Sequence, residues 1–454
     1  MVWLFLTPIH WKGVLRLRRI TLDFIAKPGG AVNGSIRVPG DKSISHRSIM
    51  LGAIADGDTT VDGFLEGEDA LATLNAFKAM GVKIDGPENG RVTVHGVGRE
   101  GLKAPEGDLY VGNSGTTIRL LSGLMAGQKF SVTMSGDVSL NKRPMERVAK
   151  PLREMGVTVE TAEGGRPPLT ITGSNALKAI HYDMPMASAQ VKSCVLLAGL
   201  YPTVEPSVSE PAPTRDHTER MLRGFGYPVV RKGNTASVIG GQRLQGMHID
   251  VPADISSAAF FMVAASIAPD SELLLQHVGI NPTRIGVVNI LKAMGGDITL
   301  ENRREIGGEP VADIRVRSAQ LKGIDIPEDQ VPLAIDEFPV LFVAAACAEG
   351  KTVLRGAEEL RVKESDRIQV MADGLQALGI QATPTEDGIE IAGGQIGGGE
   401  IECHHDHRIA MSFSVAALRA SKPIHIRGAD NVATSFPNFL ELAAQVGMRV
   451  EAAK

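Results

Sequence analysis

Aromatic side chains make up only 4% of the 454 residues, so Ala, Val, Leu, Ile and Met must fill the core. Single-strand nucleic-acid platforms stack bases on exposed aromatics, and that class of function is disfavoured. Positive charge is not in excess either. A net charge of −5 argues against a non-specific polyanion binder, so any anion site must be local. Cysteine is scarce: Cys194, Cys347 and Cys403 lie far apart, none in a CxxC or CxxH arrangement. Such an odd, sparse set reads as reduced thiols in a reducing compartment, with the cytoplasm as the expected location. Cys194 and Cys347 stand in apolar, helix-like runs and read as core residues. No apolar run is long enough to span a bilayer, which excludes a membrane partner. Residues 1–20 place an apolar stretch before basic residues, the reverse of a secretory signal, and read as an N-terminal extension.

Repetition is what the chain has in abundance. A helix-like stretch ending in hydrophobic-Gly and running into an apolar strand recurs six times, at Gly81, Gly156, Gly226, Gly295, Gly379 and Gly447. Each Gly is expected just past a helix C-terminus, where a left-handed residue closes the last turn. A second signature alternates with the first: an Ala-rich helix, a turn, then a β-branched strand. LGAIADGDTTVDGF, LLSGLMAGQKFSVTMSG and VAAACAEGKTVLRG are examples. Six such units divide into three per half. The first begins near Gly40, and the third ends near Val251. The predicted fold is α/β with two similar domains. Domain II takes residues 41–252. Domain I takes residues 21–40 and 253–454. The two chain crossings between them form a hinge.

Polar motifs cluster where the predicted helices begin. PGDKSISHR, GNSGTT, PMASAQ, TRDHTE, VKESDR and HHDHR each precede a helical run. Ser43, Asp216, Ser365 and Asp406 read as N-caps. Capping does not explain the basic residues there, because a helix N-terminus disfavours cations. Lys42, Arg47, Arg143, Lys192, Arg215, Lys363, Arg367 and Arg408 therefore point to anions held in one cleft. Asp336 and Glu364 are the candidate acid/base groups, with structural ion pairing as the alternative for each. Other motifs fail. Asp41 interrupts the phosphate-loop spacing in PGDKS, and GGQIGGGE follows no dinucleotide-binding pattern. The run from His404 to His407 precedes an apolar helix with no second ligand cluster, so no metal is expected. No nucleophile elbow is present.

Nine strings, in order, resemble the EPSP synthase (3-phosphoshikimate 1-carboxyvinyltransferase) family. They are PGDKSISHRS, GNSGTTIRL, KRPM, MASAQVKS, TRDHTE, IDEFP, LRVKESDR, DHRIAMS and ATSFPNF, and they cover the chain from about Asp23 onward. The resemblance implies two domains of three βαβαββ units each, an inside-out α/β barrel, with no cofactor. It implies transfer of the enolpyruvyl group of phosphoenolpyruvate to the 5-hydroxyl of shikimate 3-phosphate through a tetrahedral intermediate. Carried over by motif, Lys42, Ser43, Arg47, Ser188, Ala189, Gln190, Arg215, Asp336 and Lys363 would hold shikimate 3-phosphate. Lys42, Asn113, Gly115, Arg143, Gln190, Arg367 and Arg408 would hold phosphoenolpyruvate. Asp336 would be the base, Glu364 the proton donor, and Lys42 a third participant. Small-molecule substrates are the only partners implied, with glyphosate as an inhibitor, no nucleic acid and a monomeric chain. Two departures stand out. Thr434 occupies a place where the commoner family pattern has Lys. TRDHTE and MASAQVKS resemble a divergent second class, whose glyphosate-tolerant members carry Ala where this chain has Gly115. The sister transferase acting on UDP-N-acetylglucosamine is the main competing reading. It uses a reactive loop cysteine, and none is so placed here.

Overall fold

The computed structural model describes residues 22–201 and 205–453; the extension read at residues 1–20 lies outside them. Two hydrophobic cores organise the chain. One is built from buried residues between Ile44 and Val251. The other joins Phe24–Val38 to residues from Ala253 to Val450.

Twelve α-helices lie among the described residues and alternate between two environments. Helices α1 (Lys42–Ala53), α3 (Gly115–Met125) and α5 (Ala189–Ala198) are buried along nearly their whole length. So are α7 (Ile255–Ile267), α9 (Phe338–Cys347) and α11 (His407–Ala416) in the other half. Enclosed on nearly all sides, they form the two centres. Helices α2 (Glu68–Ala79), α4 (Glu146–Glu154), α6 (His217–Gly224), α8 (Gly286–Ala293), α10 (Arg367–Ala377) and α12 (Phe439–Gln445) bury a single face. All six predicted glycines follow these single-faced helices in the left-handed region, with φ between 78° and 97°. A Cβ is disfavoured there, which is why the repeat signature contains Gly.

Six small sheets cover the helices. Within a unit the first two strands are parallel and the last two return antiparallel, in the order first, second, fourth, third. Strands Leu109–Tyr110, Ser131–Ser135, Arg166–Thr172 and Thr158–Ala162 show the pattern. Two units are completed by the strands that flank the crossings. His248–Asp250 supplies the first strand beside Asp56–Asp62, and Asn33–Ile36 supplies it beside Glu272–Gly279. In the unit of α9 and α10, an isolated parallel bridge between Asp325 and Val353 stands in for the first strand. The βαβαββ repeat and the mixed α/β class follow from this connectivity.

The two crossings run antiparallel against each other. Gly40 bridges Ala253, Asp41 N–H donates to Pro252 O at 2.8 Å, and Asp254 N–H donates to Pro39 O at 2.9 Å. Gly40 has no room for a side chain. A Cβ there would sit 1.9 Å from the Gly63 carbonyl oxygen, a backbone atom that cannot rotate away.

Some local expectations are corrected. Asp41, not Ser43, caps α1, accepting from Ile44 N–H at 2.9 Å, and Ser43 lies inside the first turn. Asp366, not Ser365, caps α10, accepting from Gln369 N–H at 3.0 Å. In both cases the carboxylate stands at the register from which it reaches the third N–H of the helix. Asp216 makes no cap bond and instead accepts from Arg220 and Asn281. Cys347 is partly exposed at the end of α9, whereas Cys194 and Cys403 are buried. None of the described helices is long and apolar enough to cross a membrane.

Replacing Gly40 with Ala should lower the stability of the chain by about 3 kcal/mol, through overpacking against fixed backbone. Gly107 has open space around its Cβ position, so its Ala variant serves as the control. Urea-unfolding midpoints compare the two; equal midpoints would contradict the steric assignment.

Candidate active site

A cleft opens between the two cores. Buried helices enter it by their N-termini. From one half come Lys42 and Ser43 of α1, Gly115 and Thr116 of α3, and Ser188 and Ala189 at the start of α5. From the other come Asp336 just ahead of α9, Arg367 of α10, and His407 and Arg408 of α11. Small residues at the three starts of the first half leave backbone N–H groups approachable. Among the described residues, nine Lys and Arg side chains and five carboxylates line the cleft, a local excess of four positive charges. A chain with net charge −5 thus concentrates cations at one place.

The carboxylates sit inside the cation cluster. Arg215, from the first half, is paired with Asp336, from the second. Lys363 Nζ lies 3.3 Å and Arg367 Nη1 3.4 Å from the same carboxylate, and Arg408 donates to the Asp336 backbone oxygen at 2.9 Å. Burial alone would push the Asp336 carboxyl up, but Arg215, Lys363, Arg408 and Arg367 hold it well below the usual range. Glu364 accepts from Arg367 Nη2 at 2.6 Å and lies 3.5 Å from Arg143 Nη1, again across the cleft. For Glu364 too, burial is outweighed, here by Arg367, Arg143 and His407. Lys42 pairs with Asp69, which the sequence reading missed.

Behind this layer, fixed partners orient the cations. Buried Asp406 accepts from Arg367 Nε at 2.9 Å while capping α11, so the His404–His407 run is built around a cap and an arginine clamp. Asn113 does not line the cleft; its Oδ1 accepts from Arg143 Nη2 at 2.6 Å and its amide donates to Asp137. Arg47 is buried under the floor, donating to Ser43 O, Thr218 and Ser193, and burial lowers its pKa to about 10. Gln190 accepts from Arg119 Nη1 at 2.7 Å. Lys192 is the clear exception to the anion reading. It is fully buried and pairs with Glu210 and Glu219, both at 2.9 Å. Glu210 in turn accepts from the N–H and hydroxyl of Thr214, steadying the loop that carries Arg215.

Three cleft arginines escaped the motif search: Arg119, Arg147 and Arg284. Arg119 was legible in principle, since it follows Gly115 by four residues and shares its helix face. Burial, with Arg147 and Arg143 close by, lowers its pKa to about 9. Cations so crowded favour bound anions. His407 is pushed down to about 3, chiefly by burial and against the raising effect of Asp406, and stands in the cleft as a neutral ring. Thr434 is buried outside the cleft lining, its hydroxyl donating to Asn431 O at 2.6 Å. None of the three cysteines lines the cleft, and burial raises all three thiols, Cys347 to about 12. No group of three His, Cys, Asp or Glu residues among the described ones is arranged to hold a metal.

Known proteins match both the sequence and this geometry. The family model for EPSP synthase (3-phosphoshikimate 1-carboxyvinyltransferase) matches residues 26–442. The 3-phosphoshikimate 1-carboxyvinyltransferase of Methylococcus capsulatus is 63% identical over 428 residues, covering 94% of this chain and 98% of that protein. That of Alkalilimnicola ehrlichii is also 63% identical, covering 94% and 96%. The solved EPSP synthase of Acinetobacter baumannii superimposes with a TM-score of 0.87 at 64% identity, covering 96% of this chain and 100% of that one. The enolpyruvyl transferase NikO of Streptomyces tendae shares the fold with a TM-score of 0.77 at 16% identity, covering 95% and 99%. With matches spanning nearly its whole length, the chain belongs to the EPSP synthase family.

Proposed function

We propose that this cleft transfers the enolpyruvyl group of phosphoenolpyruvate to the 5-hydroxyl of shikimate 3-phosphate. The observation that carries the reading is the cation cluster with Asp336 and Glu364 held inside it. Two phosphates and two carboxylates must be brought together against their repulsion, and preoriented cations do this without reorganising during the reaction. In the addition step, Asp336 takes the 5-hydroxyl proton, the oxygen bonds to C2 of phosphoenolpyruvate, and Glu364 protonates the methylene carbon. In the elimination step, Glu364 takes a proton back from the methyl group, the double bond reforms, and phosphate leaves C2, taking up the proton that Asp336 received. Lys42 faces both substrates and shares in these proton transfers.

Shikimate 3-phosphate lies on Lys42, Ser43, Ser188, Ala189, Gln190, Arg215 and Lys363 in this reading. Phosphoenolpyruvate lies on Lys42, Gly115, Arg143, Gln190, Arg367 and Arg408. Arg47 and Asn113 act from behind, through Ser43 and Arg143. Arg119 and Arg147 supply positive charge that Thr434 does not. Domain I (21–40 and 253–454) and domain II (41–252) close over the substrates by turning at the two crossings. One chain carries a complete cleft, which supports a monomer, and the unpaired thiols support the cytoplasm. The motifs TRDHTE and MASAQVKS support reading the chain as a member of the second class of the family, with glyphosate as its expected inhibitor.

Phosphate release with the two named substrates tests the assignment directly; release with UDP-N-acetylglucosamine in place of shikimate 3-phosphate would favour the sister reaction. Replacing Asp336 with Ala should cut turnover by about 10²–10⁴-fold while shikimate 3-phosphate still binds. Near-normal turnover would remove Asp336 as the base.

Glu364 is ionised as long as Arg143 and Arg367 face it unopposed. Substrate anions on those arginines cancel the lowering, leaving burial to raise the pKa, so ligand binding should draw a proton from solvent. Calorimetry of shikimate 3-phosphate plus glyphosate, in buffers of different ionisation enthalpy, should show more proton uptake than the Glu364→Gln variant does. Identical uptake in both proteins would assign the donor elsewhere.

A Cβ on Gly115 would lie 3.1 Å from Nη1 of both Arg119 and Arg143, tight enough to displace either guanidinium. The Gly115→Ala enzyme should resist glyphosate at least about tenfold more than the wild type, with a smaller change in KM for phosphoenolpyruvate, a discrimination of about 1.4 kcal/mol. Equal inhibition constants would sink the assignment of Gly115 to the inhibitor's path.

A further inference from the structure

The crossings carry a buried cation that none of the motifs foretold. Arg284 lies in the loop between strand Glu272–Gly279 and α8, and is 3% exposed. Its Nη1 is 2.5 Å from Asp41 Oδ2, on the carboxylate that caps α1 in one half. Its Nη2 is 3.1 Å from Asp254 Oδ1, on the carboxylate that caps α7 in the other half. The same nitrogen donates to Ser256 Oγ at 2.5 Å, and Ser256 in turn donates to Glu337, the neighbour of Asp336. Asp254 also accepts from the backbone N–H of Lys42 at 3.1 Å. One planar guanidinium therefore links the start of α1, the start of α7 and the turn into α9. These segments hold Lys42 and Ser43 on one side and Asp336 on the other.

We propose that Arg284 is a positioning residue that sets the angle between the two halves, and so the alignment of Lys42 with Asp336. The two crossings meet through the short backbone pairing around Gly40 and Ala253, so side chains at that point bear on the angle between the halves. Two capping carboxylates, one per half, share a single fork of donors, and that fork fits only one relative orientation. A lysine at this place keeps the charge but offers a point donor, which cannot hold both carboxylates and Ser256 in a plane. The inference rests on the enolpyruvyl-transfer reading, because alignment is measured by that reaction.

Arg284→Gln and Arg284→Lys variants test it. The measurements are kcat, KM for both substrates, affinity for shikimate 3-phosphate alone, and compaction in small-angle scattering on adding shikimate 3-phosphate with glyphosate. We expect kcat to fall at least a hundredfold in the Gln variant and about tenfold in the Lys variant. Affinity for shikimate 3-phosphate should stay within about threefold, and compaction should be incomplete in both. Loss of that affinity in proportion to kcat would make Arg284 a substrate contact and overturn the proposal. Full compaction, or wild-type kcat, would overturn it as well. Should the Gln variant fail to fold, judged by circular dichroism, the Lys variant decides by the same criteria. Wild-type enzyme without phosphate release would instead fault the underlying reaction.

Discussion

Like charges crowded into one cleft are the constraint that this molecule is built around. Two unit charges 4 Å apart repel by about 4 kcal/mol at an effective dielectric of 20, and here nine cations share one site. The structure answers with carboxylates placed at the points of greatest crowding. Asp336 takes Arg215, Lys363 and Arg367, Glu364 takes Arg367 and Arg143, and Asp406 takes Arg367 from behind. Two of these pairs, Arg215 with Asp336 and Arg143 with Glu364, connect the two halves. The carboxylates proposed for catalysis are thus also those that hold the cation cluster together, which explains their strongly lowered pKa values.

The repeat supplies the geometry that this charge arrangement needs. In five of the six units two parallel strands flank a buried helix, and in the sixth an isolated parallel bridge takes the place of the first strand, so chemically similar helices start from the same edge. Three units per half bring three such N-termini toward one face. Two facing halves then present helix starts to a common space, with small residues where backbone must approach an anion. The strands that flank the crossings, His248–Asp250 and Asn33–Ile36, each pair as the first strand of a sheet in their own half, which ties the crossings into the sheets on both sides. The crossings, where Gly40, Asp41, Asp254 and Arg284 meet, are thereby anchored to both halves.

Periodicity, glycines at helix ends and polar motifs at helix starts were all readable in the chain, because each depends on contacts within a few residues. Together with the family resemblance they give the βαβαββ units, their number, and most of the cleft lining: Lys42, Gly115, Gln190, Arg215, Asp336, Lys363, Glu364, Arg367 and Arg408 all meet in one place. Tertiary structure decided which basic residues face the cleft and which face the core. Lys192 sits one turn into α5, on the side that meets Glu210 and Glu219, and no local pattern marks those distant partners. Arg284 stands in a loop without a motif, and only the meeting of two capping carboxylates over 200 residues apart in sequence makes it central. Sequence specifies where helices begin, since capping is local; what each charged group faces is fixed by the partners that folding brings to it.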